Sequence, residues 1–494
     1  MRARSIVLIT VDCLRADHAG FLGYHRPTTP FLDSLAAESF VFSNAFAAGV
    51  PTYYSFPAIM ASRYPLALGR DVVGLAPGEA TLASVLRDAG YANAGFVAAN
   101  PYLSSRFGYD SGFETFRDFL DEELGFEHRE LEPSPKWRTR TNQSIARACH
   151  SLWPLGAAYD EIYFQYCQRI ASGVELSVDK LRRFPSAQVI VDQGLQWLEE
   201  FGDSPFFLWL HLMDPHAPYY PAQDALNAMD NSSSGSQARF LNSFWNRHDV
   251  SASRLKRHNE DLMALYDAGI RKVDIEIARL VDKLRRSALW DDCVFAVTAD
   301  HGEEFLDHGG RFHAPSNLWE ESIRVPLLLH MPGGRVARHV KSVFSLVHLG
   351  PTLLEAAGTR IPAEFHGRSC WSALQAGSAF EGHAIIESVG RCGNPLRLSD
   401  RLQARMLAVR EEQYKLVLDF GSGREDLFDL RGDPGECNPL YLSAEKGTRR
   451  RLLGRAQAHL TESAGRRNED HRLAARIRDL KFQWAAPRAR SYAA

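Results

Sequence analysis

The chain has 494 residues, 45% of them hydrophobic and 24% charged, and its formal net charge at pH 7 is −3. This composition is typical of a globular protein, and the nearly balanced charge provides no overall field that favours nucleic acid. The seven cysteines include no C-x-x-C pair and are odd in number, so a disulfide framework is not expected. No stretch is long and apolar enough for a secretory signal or a membrane span, and we expect a cytoplasmic protein with reduced thiols.

Short apolar strands and helices with periodic apolar residues follow one another along the chain. In chain order, the predicted elements are a strand in 5–12, helices in 28–47 and 81–90, a strand in 91–100, a helix in 186–201, a strand in 204–216, a helix in 261–292, and strands in 293–304 and 324–333. Strands that alternate with helices predict a mostly parallel central sheet covered on both faces, an α/β/α sandwich.

Polar residues follow several of these strands where the strands end. They are Asp12, the run from His211 to His216, and the pair Asp300–His301. Ligands of such sheets bind at the carboxyl ends of the strands. The shared position of these residues therefore predicts the functional site.

Two predicted domains divide the chain. Residues 1–375 form the catalytic α/β domain, and insertions at about 120–180 and 225–260 are predicted to cover one of its faces. The second insertion contains a predicted flexible loop at Asn231 to Gln237. Residues 376–494 form a smaller subdomain, in which short strands predict an antiparallel sheet and an Arg-rich segment predicts a helical tail.

Several motifs carry a resemblance to a known family when they are taken in order. They are "ITVDCLRADHAGFLGY", "SFPAIMASRYP", "FFLWLHLMDPHAPYYP", "TADHGEEFLDHG", "LWEESIRVPLLLHMPG" and "DLFDLRGDPGECNPL". Over almost the entire chain they resemble the sulfatase family of the alkaline phosphatase superfamily. The resemblance implies an alkaline-phosphatase-like fold with a smaller C-terminal sheet, and one or two divalent metal ions that face a nucleophile at the start of a helix.

Thr52 occupies the place of the family's nucleophile, counted back from Ala61–Ser62–Arg63. The sulfatase signature C/S-x-P-x-R is not kept, because Tyr54 replaces its proline and Phe56 replaces its arginine. Threonine cannot be oxidised to the formylglycine of true sulfatases, whereas members that act on phosphoesters and phosphonates resemble this chain in using threonine directly. The helix is predicted to begin near Ser55, with its N–H groups facing the anion. From the residues alone, Thr52 also fits a helix N-cap.

A metal site is predicted from Asp12, Asp300 and His301, with Thr52 beside the ion. Two carboxylates and one imidazole suit calcium, magnesium or manganese, and zinc less readily. We therefore expect one divalent ion, Ca, Mg or Mn. A second metal bound by Asp214 and two histidines is the weaker alternative, and a turn cap is the alternative for Asp12.

The remaining polar residues are predicted to hold the anion and to protonate the leaving oxygen. The resemblance maps the histidine of "DPHAP" and the basic residue near "DHGG" to His216 and Arg311. The predicted catalytic residues are Thr52, His216, His308 and Arg311, and the predicted substrate-binding residues are His211, His313 and Asn100.

The predicted function is a metal-dependent hydrolase or transferase of phosphate-type esters that forms a covalent intermediate on threonine. The substrate is expected to be a small-molecule ester or an ester of a glycan or lipid headgroup, and no nucleic acid is expected as a partner. Two alternatives remain: a sulfuric ester hydrolase, and a catalytically inactive binding protein of the same fold.

Overall fold

The computed structural model describes residues 4–120, 144–145, 148–149, 181–200, 204–247, 250–332, 338–380, 382–441 and 445–465. The predicted insertion at about 120–180 lies almost entirely outside these residues, as does the end of the predicted helical tail.

The strands of the described residues belong to three sheets. In chain order they are β1 Ser5–Val11, β2 Ser39–Phe46, β3 Ala92–Val97, β4 Thr115–Arg117, β5 Phe206–Leu212, β6 Cys293–Ala299, β7 Glu304–Phe305, β8 Arg311–Phe312, β9 Arg324–His330, β10 Arg338–Val340, β11 Phe344–Ser345, β12 Ala384–Val389, β13 Arg405–Arg410, β14 Tyr414–Asp419 and β15 Arg424–Asp429.

The helices lie between these strands. In the described part of the chain the α-helices are Pro30–Ala36, Thr52–Ala61, Leu82–Asp88, Ala187–Glu200, Gln223–Ala228, Gly235–Trp245, Ala252–Lys256, Asn259–Arg286, Glu320–Ile323, Leu349–Ala356, Trp371–Ala376, Leu398–Arg401 and Lys446–Gly465. None of these described helices is both long and apolar enough to span a membrane.

The main sheet confirms the predicted α/β fold. Its strand order is β10-β2-β9-β6-β1-β5-β3-β4, with β11 also paired to β2. β1 lies at the centre and pairs in parallel with β5 and β6, while β9 runs antiparallel to β6 and β2. The three central strands are buried almost throughout, because helices cover both faces of a mostly parallel sheet.

The long helix Asn259–Arg286 confirms the predicted amphipathic stripe. Ile270, Val273, Ile277 and Leu280 are at most 1% exposed and pack into the main core. Their spacing places them on one side of the helix, which is therefore fixed against the sheet. This helix supplies buried polar contacts to the site described below.

The predicted helix at 28–47 is wrong in its second half. The helix ends at Ala36, and β2 begins at Ser39. Phe31 and Leu35 fit helical spacing, but the run from Phe40 to Phe42 is aromatic and β-branched and pairs with β9. Pairing in the sheet therefore overrides a periodicity that continues by chance.

The predicted flexible loop at Asn231 to Gln237 is also wrong in part. Ser234 caps the helix that begins at Gly235, and its hydroxyl accepts from the backbone N–H of Gln237, whose side chain returns to the backbone of Ser234. Serine followed three residues later by glutamine is a capping box. The segment is thus the start of a helix that packs on the long helix Asn259–Arg286.

The predicted C-terminal antiparallel sheet is confirmed by the order β12-β13-β14-β15. Its own small core joins Leu407, Leu416 and Leu427 to Leu452 of the helix Lys446–Gly465. On its opposite face, Ile386 and Ala408 pack with Phe46 of β2. The small sheet is therefore held against the main body through apolar contacts.

Candidate active site and metal centre

The candidate site forms where the three central strands end. Val11, the last residue of β1, pairs with Leu212 of β5 and with Ala299 of β6. Asp12 and Asp300 therefore follow neighbouring strands at the same level. The ligand atoms of Asp12, Asp300 and His301 all lie within 4.8 Å of one another, and each of these residues is 0% exposed.

Asp12 is oriented by two neighbours, His211 of β5 and Asn100, which follows β3. Its Oδ2 accepts a hydrogen bond from Asn100 Nδ2 at 2.8 Å and lies 3.4 Å from His211 Nε2. His211 Nδ1 is 3.0 Å from Thr10 Oγ1, which also accepts from Trp209 Nε1 at 3.0 Å. Asn100 and His211, which were predicted to bind substrate, are thus buried behind the carboxylate and fix its direction.

His301 presents one nitrogen to this cluster. Its Nδ1 lies 2.8 Å from the carbonyl oxygen of Gly302, so Nδ1–H donates there and Nε2 carries the lone pair. Nε2 is 3.4 Å from Asp300 Oδ2 and 3.2 Å from Thr52 Oγ1. This is the tautomer that a metal ligand requires.

Asp300 bears the strongest sign that a cation belongs here. Its Oδ1 accepts from the backbone N–H groups of His301 at 2.9 Å and Cys13 at 3.4 Å. Its Oδ2 is buried and has no hydrogen-bond partner within the described residues. A buried carboxylate oxygen that faces an imidazole lone pair fits a divalent ion, with Asp12, Asp300 and His301 as the residues that would hold it.

The pKa values of Asp12, Asp300 and His301 also fit a site for a cation. Burial and then the charge of Asp12 raise the pKa of Asp300 to about 8. Burial opposes the ionisation of Asp12, but the nearby His216 and His211 keep its pKa well below the ordinary value. Burial lowers the pKa of His301 to about 4, so its imidazole is neutral. Two close carboxylates do not both ionise without a cation between them.

Thr52 is the first residue of the helix Thr52–Ala61, and the predicted start at Ser55 is three residues late. Pro51 holds the N-cap position, and no side chain caps this helix. The alternative in which Thr52 is the cap is therefore wrong. Thr52 is 4% exposed, and its hydroxyl points at His301. The backbone places this hydroxyl beside the metal ligands and next to the positive end of a helix.

His216 and His313 stand on the solvent side of the buried ligands, since both are only partly buried. Their ring centres are 5.1 Å apart, and the rings of His313 and His301 are 4.7 Å apart. His313 Nδ1 lies 3.1 Å from Glu303 Oε1. Burial lowers the pKa of His313, but Glu303 raises it to about 9, so this side chain is a cation at neutral pH.

The structure directs His308 and Arg311 away from this group. His308 stacks on Trp319 with ring centres 3.9 Å apart and lies 3.4 Å from Glu321 Oε1. Arg311 donates to the carbonyl oxygens of Trp245 and of Arg247, the latter at 3.0 Å.

The hairpin of β7 and β8 explains this separation. The Glu304 carboxylate accepts from the backbone N–H groups of His308 and Gly310 and shapes the turn between the two strands. The chain then returns, so that His313 reaches the site. The basic residue near "DHGG" that faces the cluster is therefore His313 and not Arg311.

The weaker alternative of a second metal at Asp214 is not supported. Arg182 donates to one Asp214 oxygen at 3.0 Å, and the backbone N–H of Ala187 donates to the other at 2.7 Å. Asp214 thus caps the helix Ala187–Glu200 and pairs with an arginine.

Sequence reasoning missed two members of the site, Cys13 and Glu303. Cys13 is 0% exposed, and its Sγ lies 3.1 Å from Asp12 Oδ1 and 3.3 Å from His313 Nδ1. Glu303 is 0% exposed and pairs with His313. Each lies within two residues of a predicted ligand, and this adjacency was the available signal.

Comparisons with known proteins give the same family as the motifs. The model of the family described as Sulfatase matches residues 4–359, and the model described as N-sulphoglucosamine sulphohydrolase, C-terminal, matches residues 310–455. The chain is 24% identical over 488 residues to the multifunctional alkaline phosphatase superfamily protein PehA of Trinickia caryophylli, covering 89% of this chain and 91% of that protein. It is 22% identical over 460 residues to an arylsulfatase of Hemicentrotus pulcherrimus, covering 87% of this chain and 74% of that protein.

Among solved structures, the fold is similar to that of the phosphonate monoester hydrolase of Agrobacterium radiobacter. The TM-score is 0.65 at 20% identity, and the alignment covers 94% of this chain and 96% of the other. The fold is therefore alkaline-phosphatase-like. The Sulfatase model spans well over half of the chain, and the protein belongs to the sulfatase family of the alkaline phosphatase superfamily.

Proposed function

We propose that this protein is a metal-dependent hydrolase or transferase of phosphate-type esters, namely phosphomonoesters, phosphodiesters or phosphonates, and that it works through a covalent intermediate on Thr52. One observation carries the proposal. The Thr52 hydroxyl, on the first residue of a helix, lies 3.2 Å from His301 Nε2 inside a cluster of buried metal-ligand side chains. A hydroxyl in that position is placed for attack on a tetrahedral anion.

The bound metal ion would lower the pKa of the Thr52 hydroxyl and balance the charge of the ester oxygens. The Thr52 hydroxyl loses its proton to solvent, and its Oγ1 forms a bond to phosphorus as the bond between phosphorus and the leaving oxygen breaks. The leaving oxygen takes a proton from His313, a cation whose ring centre lies 4.7 Å from that of His301, the neighbour of Thr52. Attack on the phosphothreonine by water, or by another hydroxyl, releases the product and restores the Thr52 hydroxyl.

The residues around Thr52 favour phosphorus over sulfur as the reacting centre. Phe56 stands where the sulfatase signature has an arginine; it is 0% exposed and lies edge-on to His211 with ring centres 5.1 Å apart. The signature that accompanies the formylglycine of sulfatases is therefore not kept, and Thr52 cannot be oxidised to that residue. The likeness to PehA and to a phosphonate monoester hydrolase also supports this choice, whereas the likeness to an arylsulfatase makes sulfate esters the alternative to test.

The test is a panel of p-nitrophenyl phosphate, phosphodiester, phosphonate and sulfate esters with manganese present. We expect turnover of at least one phosphorus ester by the wild type, and a loss on the order of 1,000-fold or more in Thr52→Ala. Ser55→Ala is the matched control, because Ser55 lies on the same helix and its hydroxyl donates to the Thr52 carbonyl at 3.2 Å. We expect it to stay within a few-fold of the wild type.

Two outcomes would overturn the proposal. In the first, Thr52→Ala remains active while Ser55→Ala is inactive, which moves the nucleophile by three residues. In the second, the wild type turns over only the sulfate ester, and Thr52→Ala leaves that rate unchanged.

A further inference from the structure

We propose that Cys13 is itself a ligand of the metal ion, and that the centre therefore selects a borderline-soft divalent transition ion of the zinc type over calcium and magnesium. The inference rests on the metal dependence in the proposed function. It concerns the residue directly after Asp12, whose sulfur lies within the group of ligand atoms.

The Cys13 sulfur belongs to two groupings of ligand atoms. With one ring nitrogen each of His301 and His313 it forms a set whose atoms all lie within 4.8 Å of one another, and with Asp12 and His216 it forms a second such set. Both sets share a member with the Asp12–Asp300–His301 cluster. The sulfur, the imidazole nitrogens and the carboxylate oxygens thus form one continuous array.

The distances from the sulfur fit shared coordination. Sγ is 3.1 Å from Asp12 Oδ1, one of the ligand oxygens, and 3.3 Å from Nδ1 of His313, which is a cation paired with Glu303 and therefore a neighbour of the ligands rather than one of them. A sulfur and an oxygen that bind one ion would lie about 3.1–3.6 Å apart, given typical bond lengths of about 2.3 and 2.1 Å. The Asp300 Oδ2 atom supplies an independent sign, because it is buried without a hydrogen-bond partner in the described residues.

The backbone holds Cys13 in a strained conformation that aims the sulfur inward. Its φ is 61°, in the left-handed region that a non-glycine residue enters at a cost. Tyr266 OH donates to the Cys13 carbonyl oxygen at 2.7 Å, and the Cys13 N–H donates to Asp300 Oδ1 at 3.4 Å. Contacts on both sides of the residue thus maintain this conformation.

A purely structural role accounts less well for this thiol. Buried cysteines usually pack as small apolar residues, and Cys293 does so within the main core. Cys13 is equally buried but belongs to none of the hydrophobic clusters of the described residues. Its neighbours are instead a carboxylate and an imidazole.

The donor set determines the class of metal. Carboxylate oxygens alone suit calcium or magnesium, whereas thiolate with imidazole suits zinc and similar transition ions. When the sulfur–metal bond forms, the thiol proton leaves to solvent, so Cys13 adds one negative charge next to Asp12.

The test is reconstitution of the chelator-treated full-length protein with cobalt(II), which reports sulfur ligation by a sulfur-to-cobalt charge-transfer band in the near ultraviolet. We expect the band in the wild type and its loss in Cys13→Ser. Cys293→Ser is the matched control and should keep the band, since that buried thiol packs in the main core and its Sγ donates to Val294 O of its own strand. Zinc affinity should fall at least ~10-fold in Cys13→Ser.

Cys13→Asp provides a second test in case the serine variant does not fold. We expect it to bind cobalt without the band and to gain affinity for calcium and magnesium relative to zinc. A wild type that binds cobalt without the band, or a Cys13→Ser variant that keeps the band, would overturn the assignment.

The proposed function can fail separately. If the band is present but no ester is turned over, the ligand assignment stands and the proposed function fails. If ester turnover requires metal but the band is absent, the proposed function stands and Cys13 is not a ligand. If the wild type binds neither cobalt nor zinc, both fail.

Discussion

Tyr266→Phe removes one buried hydroxyl that joins the long helix to the site. Tyr266 is 0% exposed; its OH donates to the Cys13 carbonyl at 2.7 Å and accepts from the Arg15 backbone N–H at 2.9 Å. The variant leaves both backbone groups without this partner, and each buried unpaired group costs about 1–3 kcal/mol. We therefore expect the free energy of unfolding to fall by roughly 2–6 kcal/mol, while the ring keeps its packing against Phe305.

The same change should weaken metal binding, because Cys13 loses the hydrogen bond that holds its backbone. We expect a fall of about 10- to 100-fold in affinity, as for other groups that orient metal ligands. Urea unfolding and a metal titration measure the two effects. Tyr91→Phe is the control, since its OH donates to Arg4 and Ala357 carbonyl oxygens at 2.9 and 3.3 Å, away from the site, and it should change stability alone. If Tyr266→Phe loses less than about 0.5 kcal/mol and binds metal normally, the reasoning is refuted.

Three further predictions concern stability. Manganese at about 100 times its dissociation constant should raise the free energy of unfolding by about 2.7 kcal/mol, measured by thermal unfolding. If manganese stabilises Asp300→Ala as much as the wild type, the assigned ligands are wrong. Arg182→Ala should lower the free energy of unfolding, measured in urea, by about 3–5 kcal/mol, because it leaves the buried Asp214 carboxylate without the arginine that pairs with it. Adding Asp214→Asn to that variant should recover part of the loss. If it recovers nothing, the ion pair is refuted. Burial, with His383 and Arg368 nearby, lowers the pKa of His348 to about 4. This folded value lies below the unfolded value of about 6.5, so the stabilisation is complete above pH 6.5 and is lost as the pH falls towards 4. Between pH 7 and pH 5 the wild type should lose about 2 kcal/mol more than His348→Asn, and parallel losses would refute the shift.

The site residues that could be predicted from the sequence are those that directly follow buried strands. Asp12, Asp300 and His301 were predicted as ligands because each follows a short apolar run, and the parallel register of β1 and β6 brings them together. Thr52 required the family resemblance. Its local pattern is equally that of a helix cap, and the structure decides against the cap because Pro51 holds the N-cap position of this helix.

Other parts of the site depend on contacts between distant segments, which local patterns do not contain. Whether Arg311 or His313 faces Thr52 depends on how Glu304 shapes the β7–β8 turn. Whether His211 and Asn100 touch substrate or Asp12 depends on the order of β1, β5 and β3 in the sheet.

In the proposed reaction Thr52 becomes covalently bound to the phosphorus of the substrate, and trapping that species tests the proposal directly. Wild type and Thr52→Ser would be mixed with the best phosphorus ester of the panel, quenched in acid within one turnover, digested and examined by mass spectrometry. We expect a phosphoryl group on the peptide that contains residue 52 in both proteins, and none in Thr52→Ala. Turnover of the ester with no modified peptide at any quench time, or a phosphoryl group on another residue in Thr52→Ala with full activity, would contradict it.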